Sequence, residues 1–242
     1  MRALITGASR GIGRAIAVRL GREGARVVVD YLRSDEAALQ TCELVRQAGG
    51  LAWPVRADVR SPAALGALVE ACREHLGELD VLVHNAALGA LKPWDALRTP
   101  HWDLTLETSL RPFWLLTKLA RPILAPGASV IGISSLGGRR FTPGYAAMGA
   151  AKGGMEALAR QLAVELAPEV RVNVVCGGLV DTDALSYIPD RDRLVEHAEA
   201  VTPMGRVGRP EDIAGVVALL CSADARWITG QVIVADGGLS AV

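Results

Sequence analysis

The chain has 242 residues, no formal net charge, 50% hydrophobic residues and 21% charged residues. This composition argues against disorder, and the length suits a single α/β domain with a large core. The charge balance predicts no binding to nucleic acid or to an anionic membrane surface, and no apolar run approaches the roughly 20 residues of a membrane span.

Strand-like and helix-like segments alternate along the chain. Short, nearly continuous apolar runs predict strands at 3–6, 25–30, 51–55, 79–84, 129–134, 170–175 and 231–236. Amphipathic stretches predict helices at 12–22, 35–48, 62–76, 101–124, 146–166 and 211–221. Apolar strands joined by helices are typical of a parallel sheet with both faces covered. The sequence therefore predicts one α/β domain over 1–242, a doubly wound fold with a seven-stranded parallel sheet and helices on both faces.

Two irregularities are expected. Pro112 lies inside the helix predicted at 101–124 and should interrupt its hydrogen-bond ladder. The longest irregular segment is predicted at about 180–210, and a segment of that length is often a lid over a binding site. Its apolar residues either line an acyl channel or pack the lid against the domain: Leu185, Tyr187, Ile188, Leu194 and Val195.

The stretch TGASRGIG, residues 6–13, follows the first predicted strand and opens the first predicted helix. Gly7 allows a tight turn, while Gly11 and Gly13 allow backbone to approach a pyrophosphate at the positive end of the helix dipole. The order of strand, glycine-rich turn and helix predicts a dinucleotide site in a Rossmann-like fold.

The TGxxxGIG spacing resembles that of the short-chain dehydrogenase/reductase family. Further stretches carry the resemblance along the whole chain: Asp58-Val59, HNAA at 84–87, SSLGG with Lys152, and the ITGQVIVADGG ending. The resemblance implies that residues 58–59 hold adenine, 85–87 line the adenosine path, Lys152 bonds the nicotinamide ribose, and Val180 and Thr182 bond the carboxamide. The full set of implied cofactor-binding residues is Gly7, Ser9, Arg10, Gly11, Ile12, Gly13, Arg33, Ser34, Asp58, Val59, Asn85, Ala86, Ala87, Lys152, Gly178, Val180 and Thr182.

The choice of cofactor depends on the residues after the second strand. Arg10, Arg33 and Ser34 are placed to bind a 2′-phosphate, which guanidinium groups clamp well. Asp30 lies near where an acid could bind the 2′-hydroxyl of NAD, but Tyr31 matches the family's discriminating position better and would leave Asp30 directed elsewhere. NADPH is therefore the expected cofactor, with NADH as the alternative.

The candidate catalytic residues are Tyr145, Lys152 and Ser135. Most family members carry Tyr-x3-Lys with a serine and an asparagine; here Met148 stands at the usual tyrosine position and Ser109 at that of the asparagine. Tyr145 gives Tyr-x6-Lys instead. Positions seven apart return to nearly the same helix face, about 10 Å apart along the axis, so Tyr145 is expected to point toward the nicotinamide from further out.

A displaced tyrosine suits the reduction of an enoyl thioester. Hydride goes to the β-carbon, negative charge appears on the thioester oxygen, and a donor for that oxygen must lie further from the hydride. Tyr-x6-Lys resembles the enoyl-acyl-carrier-protein reductases, most nearly the reductase III (FabL-type) subgroup. The resemblance implies that Tyr145 donates to the thioester oxygen, that Lys152 lowers the tyrosine pKa, and that Ser135 contacts substrate. Where the subgroup tends to have a second tyrosine, this chain has Phe141.

Other readings remain open. A carbonyl reductase acting on a 3-oxoacyl thioester is the alternative, and a non-catalytic NADPH-binding regulator is the second. An acyl thioester on acyl carrier protein is the expected substrate, and arginines near the mouth either guide that acidic carrier or are ordinary solvated charges: Arg139, Arg140, Arg191, Arg193, Arg206 and Arg209. The resemblance also implies a homo-oligomer, tetramer or dimer. The cysteines lack metal-ligand spacing, so no metal site and a cytoplasmic location are expected.

Overall fold

A computed structural model describes residues 1–183, 185 and 191–242. Its strands are β1 Arg2–Ile5, β2 Arg26–Tyr31, β3 Leu51–Arg56, β4 Leu79–His84, β5 Leu124–Ser135, β6 Val170–Gly177 and β7 Val232–Ala235. Its α-helices are α1 Gly11–Gly21, α2 Asp35–Gln47, α3 Pro62–Leu76, α4 Thr99–Ser109, α5 Arg111–Ala120, α6 Ala146–Glu165, α7 Arg191–Val201 and α8 Pro210–Cys221.

The seven strands form one parallel sheet in the order β3-β2-β1-β4-β5-β6-β7, which confirms the predicted fold. Ile5 of β1 pairs with Val29 on one side and with Val83 on the other. The strand order therefore reverses between β1 and β4. In open α/β sheets a ligand binds at such a switch point, beyond the carboxyl ends of the strands.

Two hydrophobic cores cover the sheet, one on each face. Consecutive strand residues point to opposite faces, so Ile5 packs with Ile16 of α1 while Leu4 packs with Leu65 of α3. Helices α1, α2 and α8 cover the first face, and α3, α5 and α6 cover the second. This two-sided cover explains why the strands read as continuous apolar runs.

The helix predicted at 101–124 is two helices. Its ladder breaks at Leu110, whose φ of −121° and ψ of −58° are not helical. Pro112 has no N–H to donate, as expected, and the Phe113 N–H donates instead to the Leu110 carbonyl at 3.1 Å. The predicted end of this helix, at 124, was wrong, because α5 ends at Ala120. Strand β5 begins at Leu124, five residues before its predicted start at 129.

The prediction of an irregular segment at 180–210 was wrong in part, because helix α7 lies within it. Its sequence, RDRLVEHAEAV, is charged and buries only Ala198, so its weak apolar pattern hid the helix. Leu194 and Val195 lie in α7 and are half-buried, and Leu185 is buried. Tyr187 and Ile188 lie outside the described residues.

The large apolar residues of α5 divide between interior and surface. Phe113 and Leu116 are fully buried in the core, whereas Trp114 is exposed. Core packing therefore accounts for the first two. Of the helices in the described ranges, none has the length and apolar character needed to cross a membrane.

Candidate active site

A cleft of about 2760 Å³ lies at the carboxyl ends of the strands, where the strand order reverses. Every predicted cofactor-binding and catalytic residue lines it except Gly13, which is buried behind the glycine-rich turn. Segments as distant in the sequence as the turn after β1, the end of β5 and the start of α6 thus meet at one place.

The glycine-rich turn needs its glycines for two different reasons. Gly7 and Gly11 have φ values of 61° and 55°, in the left-handed region that favours glycine. Gly13 is required by space, since a Cβ there would lie 2.5 Å from the Gly7 carbonyl oxygen and 2.6 Å from Asn85 Nδ2. The Asn85 amide donates to the carbonyls of Thr6 at 2.9 Å and of Gly7 at 3.1 Å, so it braces the turn from behind.

The first turn of α1 fits a phosphate group. Side-chain oxygens of Ser34 and Ser61 accept hydrogen bonds at the starts of α2 and α3. In the described chain, α1 has no such side-chain cap, because Arg10 at the N-cap is extended and makes no cap bond. Its first N–H groups are left for an anion, which is what a cofactor pyrophosphate requires.

The adenosine end of the cleft has two exposed guanidinium groups, Arg10 and Arg33. Ser34 Oγ accepts from the Ala37 N–H at 3.3 Å, so this oxygen is engaged in capping α2. Asp58 is also engaged: Arg60 Nε donates to its Oδ1 at 3.0 Å, and Arg60 Nη2 donates to its Oδ2 at 2.6 Å. These bonds lower the pKa of Asp58.

Asp30 points at the glycine-rich turn. Its Oδ2 accepts the Gly7 N–H at 3.1 Å, and the residue is only 1% exposed. Within the described chain its Oδ1 has no hydrogen-bond partner. Burial raises the pKa of Asp30 to about 7. The strand pattern in the sequence places Asp30 near the end of β2. It does not reveal that the carboxyl lies beneath the turn and titrates near pH 7.

Tyr145 is the N-cap residue of α6, and its ring packs on the turn after β5. A Cβ at Gly137 would collide with that ring. Burial raises the pKa of Tyr145, and a hydrogen bond with the Ser135 hydroxyl acts in the opposite direction. The expected lowering of this pKa by Lys152 was wrong for this structure, because burial raises the pKa and Lys152 is not among the groups that shift it.

Lys152 is buried on the same face of α6. It is 5% exposed, and its Nζ donates to the Ile133 carbonyl in β5 at 2.7 Å. Burial lowers the pKa of Lys152 to about 8, since an ammonium is less stable away from water. The lysine is therefore mostly protonated at neutral pH and is fixed to the sheet.

Ser109 and Met148, which were predicted to stand at the family's asparagine and tyrosine positions, lie against each other. Ser109 Oγ donates to the Leu88 carbonyl at 3.2 Å and accepts the Leu88 N–H at 3.3 Å, which secures the loop after β4. Met148 is buried, and a Cβ at Gly89 would collide with its Sδ. Both residues therefore support the cleft wall.

Three of the six arginines predicted near the mouth form ion pairs within the described residues. Arg139 pairs with Glu156, Arg191 with Asp181, and Arg206 with Asp212, while Arg140 donates to the Leu239 carbonyl. Arg193 lines the cleft. Phe141 is 89% exposed, so it stands at the rim and not inside the site.

The chain is similar to known reductases over nearly its whole length. Residues 7–240 match the family model described as enoyl-(acyl carrier protein) reductase. The 1-cyclohexenylcarbonyl-CoA reductase of Streptomyces collinus is 38% identical over 99% of this chain and 86% of its own. A short-chain dehydrogenase/reductase from Serratia marcescens superposes with a TM-score of 0.93 at 34% identity, covering 99% of this chain and 97% of its own. The promiscuous reductase LugOII, described as catalysing keto-reduction at C1 during lugdunomycin biosynthesis, has a TM-score of 0.91 at 35% identity, covering 98% of this chain and 97% of its own.

Proposed function

The chain belongs to the short-chain dehydrogenase/reductase family, and we propose that it uses NADPH to reduce the 2,3-double bond of an enoyl thioester. The observation that carries the proposal is the place of Tyr145. It lines the cleft with Lys152 but stands three residues before Met148, the position that carries the tyrosine in most family members.

The displacement matches the charge that develops during enoyl reduction. Three helical residues correspond to about 4.5 Å along the helix axis. In a carbonyl substrate, the oxygen that gains charge is attached to the carbon that receives hydride. In an enoyl thioester it lies two carbons further away, so its hydrogen-bond donor must also be further from the hydride.

The residues of the chain hold and orient the proton donor. A nicotinamide cofactor bound in the cleft would supply the hydride. Tyr145 stays protonated at neutral pH because burial raises its pKa, so its Oη can donate to the thioester oxygen. The Ser135 hydroxyl lines the cleft with Tyr145, and its interaction with the phenol opposes the rise in the Tyr145 pKa. Lys152, fixed to Ile133, presents its charge on the same helix face.

The similar proteins support the substrate class. The name 1-cyclohexenylcarbonyl-CoA describes a thioester whose ring double bond is conjugated with the carbonyl, which is an enoyl thioester. The matching family model is likewise described as an enoyl reductase. Carbonyl reduction is the second candidate, favoured by the similarity to LugOII.

The test is cofactor oxidation with crotonyl and acetoacetyl thioesters, each on coenzyme A and on acyl carrier protein. Wild type should oxidise NADPH with the crotonyl substrate. Tyr145→Phe should lower kcat by about 10²- to 10⁴-fold, the usual contribution of a positioned acid, while still binding NADPH. Turnover with acetoacetyl substrates alone would instead establish the carbonyl reductase.

A further inference from the structure

Glu156 is a buried carboxylate on the reactive face of α6. It lies four residues after Lys152 and eleven after Tyr145, so all three positions project to nearly the same side of the helix. Glu156 is only 5% exposed. A buried charge is costly unless it is paired and hydrogen-bonded, and none of the roles assigned above uses this one.

Both carboxylate oxygens of Glu156 are engaged. Oε1 accepts from Ser134 Oγ at 2.8 Å, and Oε2 accepts from Arg139 Nε at 3.0 Å. These residues flank Ser135: Ser134 precedes it in β5, and Arg139 follows the short turn at 136–138. Glu156 therefore holds both ends of the segment that carries the Ser135 hydroxyl.

Lys152 holds the same strand one helical turn earlier. Its bond to the Ile133 carbonyl and the Glu156 bond to Ser134 join successive turns of α6 to successive residues of β5. Between them the turn packs directly on the helix, since a Cβ at Gly138 would lie 2.9 Å from Lys152 Cβ. Strand, turn and helix thus form one unit.

We infer that Glu156 is a positioning residue: through Ser134 and Arg139 it fixes the turn that holds the Ser135 hydroxyl against the Tyr145 phenol. The Tyr145 ring rests on Gly137 within this turn, so movement of the turn shifts both hydroxyls relative to Lys152. The inference rests on the proposed function insofar as it places the chemistry at Tyr145. The way in which the Ser135 and Tyr145 hydroxyls are held does not depend on that function.

The kinetic test compares Glu156→Gln with Glu165→Gln in the full chain. Glutamine at 156 keeps an acceptor for Ser134 but loses the charge that pairs with Arg139, whereas Glu165 lies exposed on the same helix. Glu156→Gln should lower kcat by about 10- to 100-fold, the cost of a small misplacement. KM and the NADPH dissociation constant should change by no more than about twofold. Ser134→Ala should act in the same direction, and Glu165→Gln should change nothing.

A second measurement needs no substrate. Tyrosinate absorbance is measured against pH for wild type and for Glu156→Gln, each with and without Tyr145→Phe. Subtracting the curve of the Tyr145→Phe protein from that of its parent gives the titration of the Tyr145 phenol. Its hydrogen bond with Ser135 lowers the phenol pKa. Displacing Ser135 in Glu156→Gln should therefore raise that pKa relative to wild type.

The two measurements separate the possible failures. An unchanged Tyr145 titration with unchanged kcat overturns the positioning role, as does a loss of turnover that only parallels loss of cofactor affinity and Tm. If the Tyr145 pKa shifts in Glu156→Gln but the wild-type protein reduces no enoyl thioester, the positioning role is supported and the proposed function is refuted.

Discussion

The Sδ atom of Met148 lies 3.9 Å from the Oγ of Ser109, at the two positions where the family resemblance predicts tyrosine and asparagine. The serine hydroxyl is committed to the backbone of Leu88, and the thioether has no acidic proton. Tyr145, the N-cap residue of α6, is one of three tyrosines in the sequence and lines the cleft with Met148. Moving the Tyr145 phenol therefore tests whether its position sets the choice between enoyl and carbonyl substrates.

Moving the phenol should change the preferred substrate. In Tyr145→Phe/Met148→Tyr the hydroxyl returns to the position four before Lys152, closer to the hydride source. The ratio of kcat/KM for acetoacetyl over crotonyl thioester should rise at least about tenfold relative to Tyr145→Phe/Met148→Phe, which has the same bulk without the hydroxyl. An equal ratio in the two proteins would show that phenol position does not set selectivity.

Gly137→Ala should displace the tyrosine ring. The added methyl meets the ring of Tyr145, and overpacking of this kind costs about 1–3 kcal/mol of folding free energy. Turnover should fall by about 10- to 100-fold as the hydroxyl moves. The measurements are Tm and kcat.

Gly66→Ala is the matched control for that substitution. A Cβ at Gly66 in α3 meets nothing within 4 Å, so alanine should raise stability by about 0.5–1 kcal/mol and leave kcat unchanged. A Gly137→Ala protein with full activity would contradict the packing described for Tyr145.

Asp30 should make stability fall as pH rises. Its pKa in the folded protein is about 7, above the ordinary 3.8, so the folded state binds its proton more tightly than the unfolded chain does. The resulting stabilisation is complete below about pH 4 and is lost as pH rises through 7, amounting to as much as about 4 kcal/mol.

Asp30→Asn removes this titration while keeping an acceptor for the Gly7 N–H. The Tm of the variant relative to wild type should therefore increase between pH 4 and pH 8. Asp224→Asn, at an exposed position, should show no such trend. A constant difference for Asp30→Asn would place the pKa of Asp30 near its ordinary value.

Arg33 and Arg10 should determine the preference for NADPH. Both are exposed at the adenosine end of the cleft, where a 2′-phosphate would lie. Replacing both with alanine should lower the NADPH-to-NADH ratio of kcat/KM by at least about tenfold, since charged hydrogen bonds contribute about 1.5–3 kcal/mol. Arg160→Ala, on the exposed side of α6, is the control. An unchanged ratio would remove these arginines from cofactor selection.

Docking of an acyl carrier protein should be tested at Arg140 and Arg193. Reversing Arg139 would place a carboxylate beside the buried Glu156 and disturb the active-site turn. Arg140→Glu/Arg193→Glu should raise KM for carrier-protein thioesters more than for coenzyme A thioesters, because the carrier is acidic. Equal effects on both substrates would refute docking through these residues.

The alternation of apolar and amphipathic segments, the glycine-rich turn and the interruption at Pro112 were all evident in the sequence. Each is a local pattern whose structural consequence is also local: a strand, an anion-binding turn, a broken ladder. Helix α7 is not evident in the sequence. It buries only Ala198, so its sequence has no clear apolar face at helical spacing.

The tertiary structure alone decided which side chains are committed to one another. The sequence alone indicates the burial of neither Glu156 nor Asp30, yet Glu156 binds from α6 to both ends of an active-site turn and Asp30 lies beneath the glycine-rich turn. Arg139, which the sequence leaves as either a contact for an acidic carrier or a solvated charge, pairs with the buried Glu156. Burial and pairing arise where distant segments meet, and no pattern within a single segment encodes that meeting.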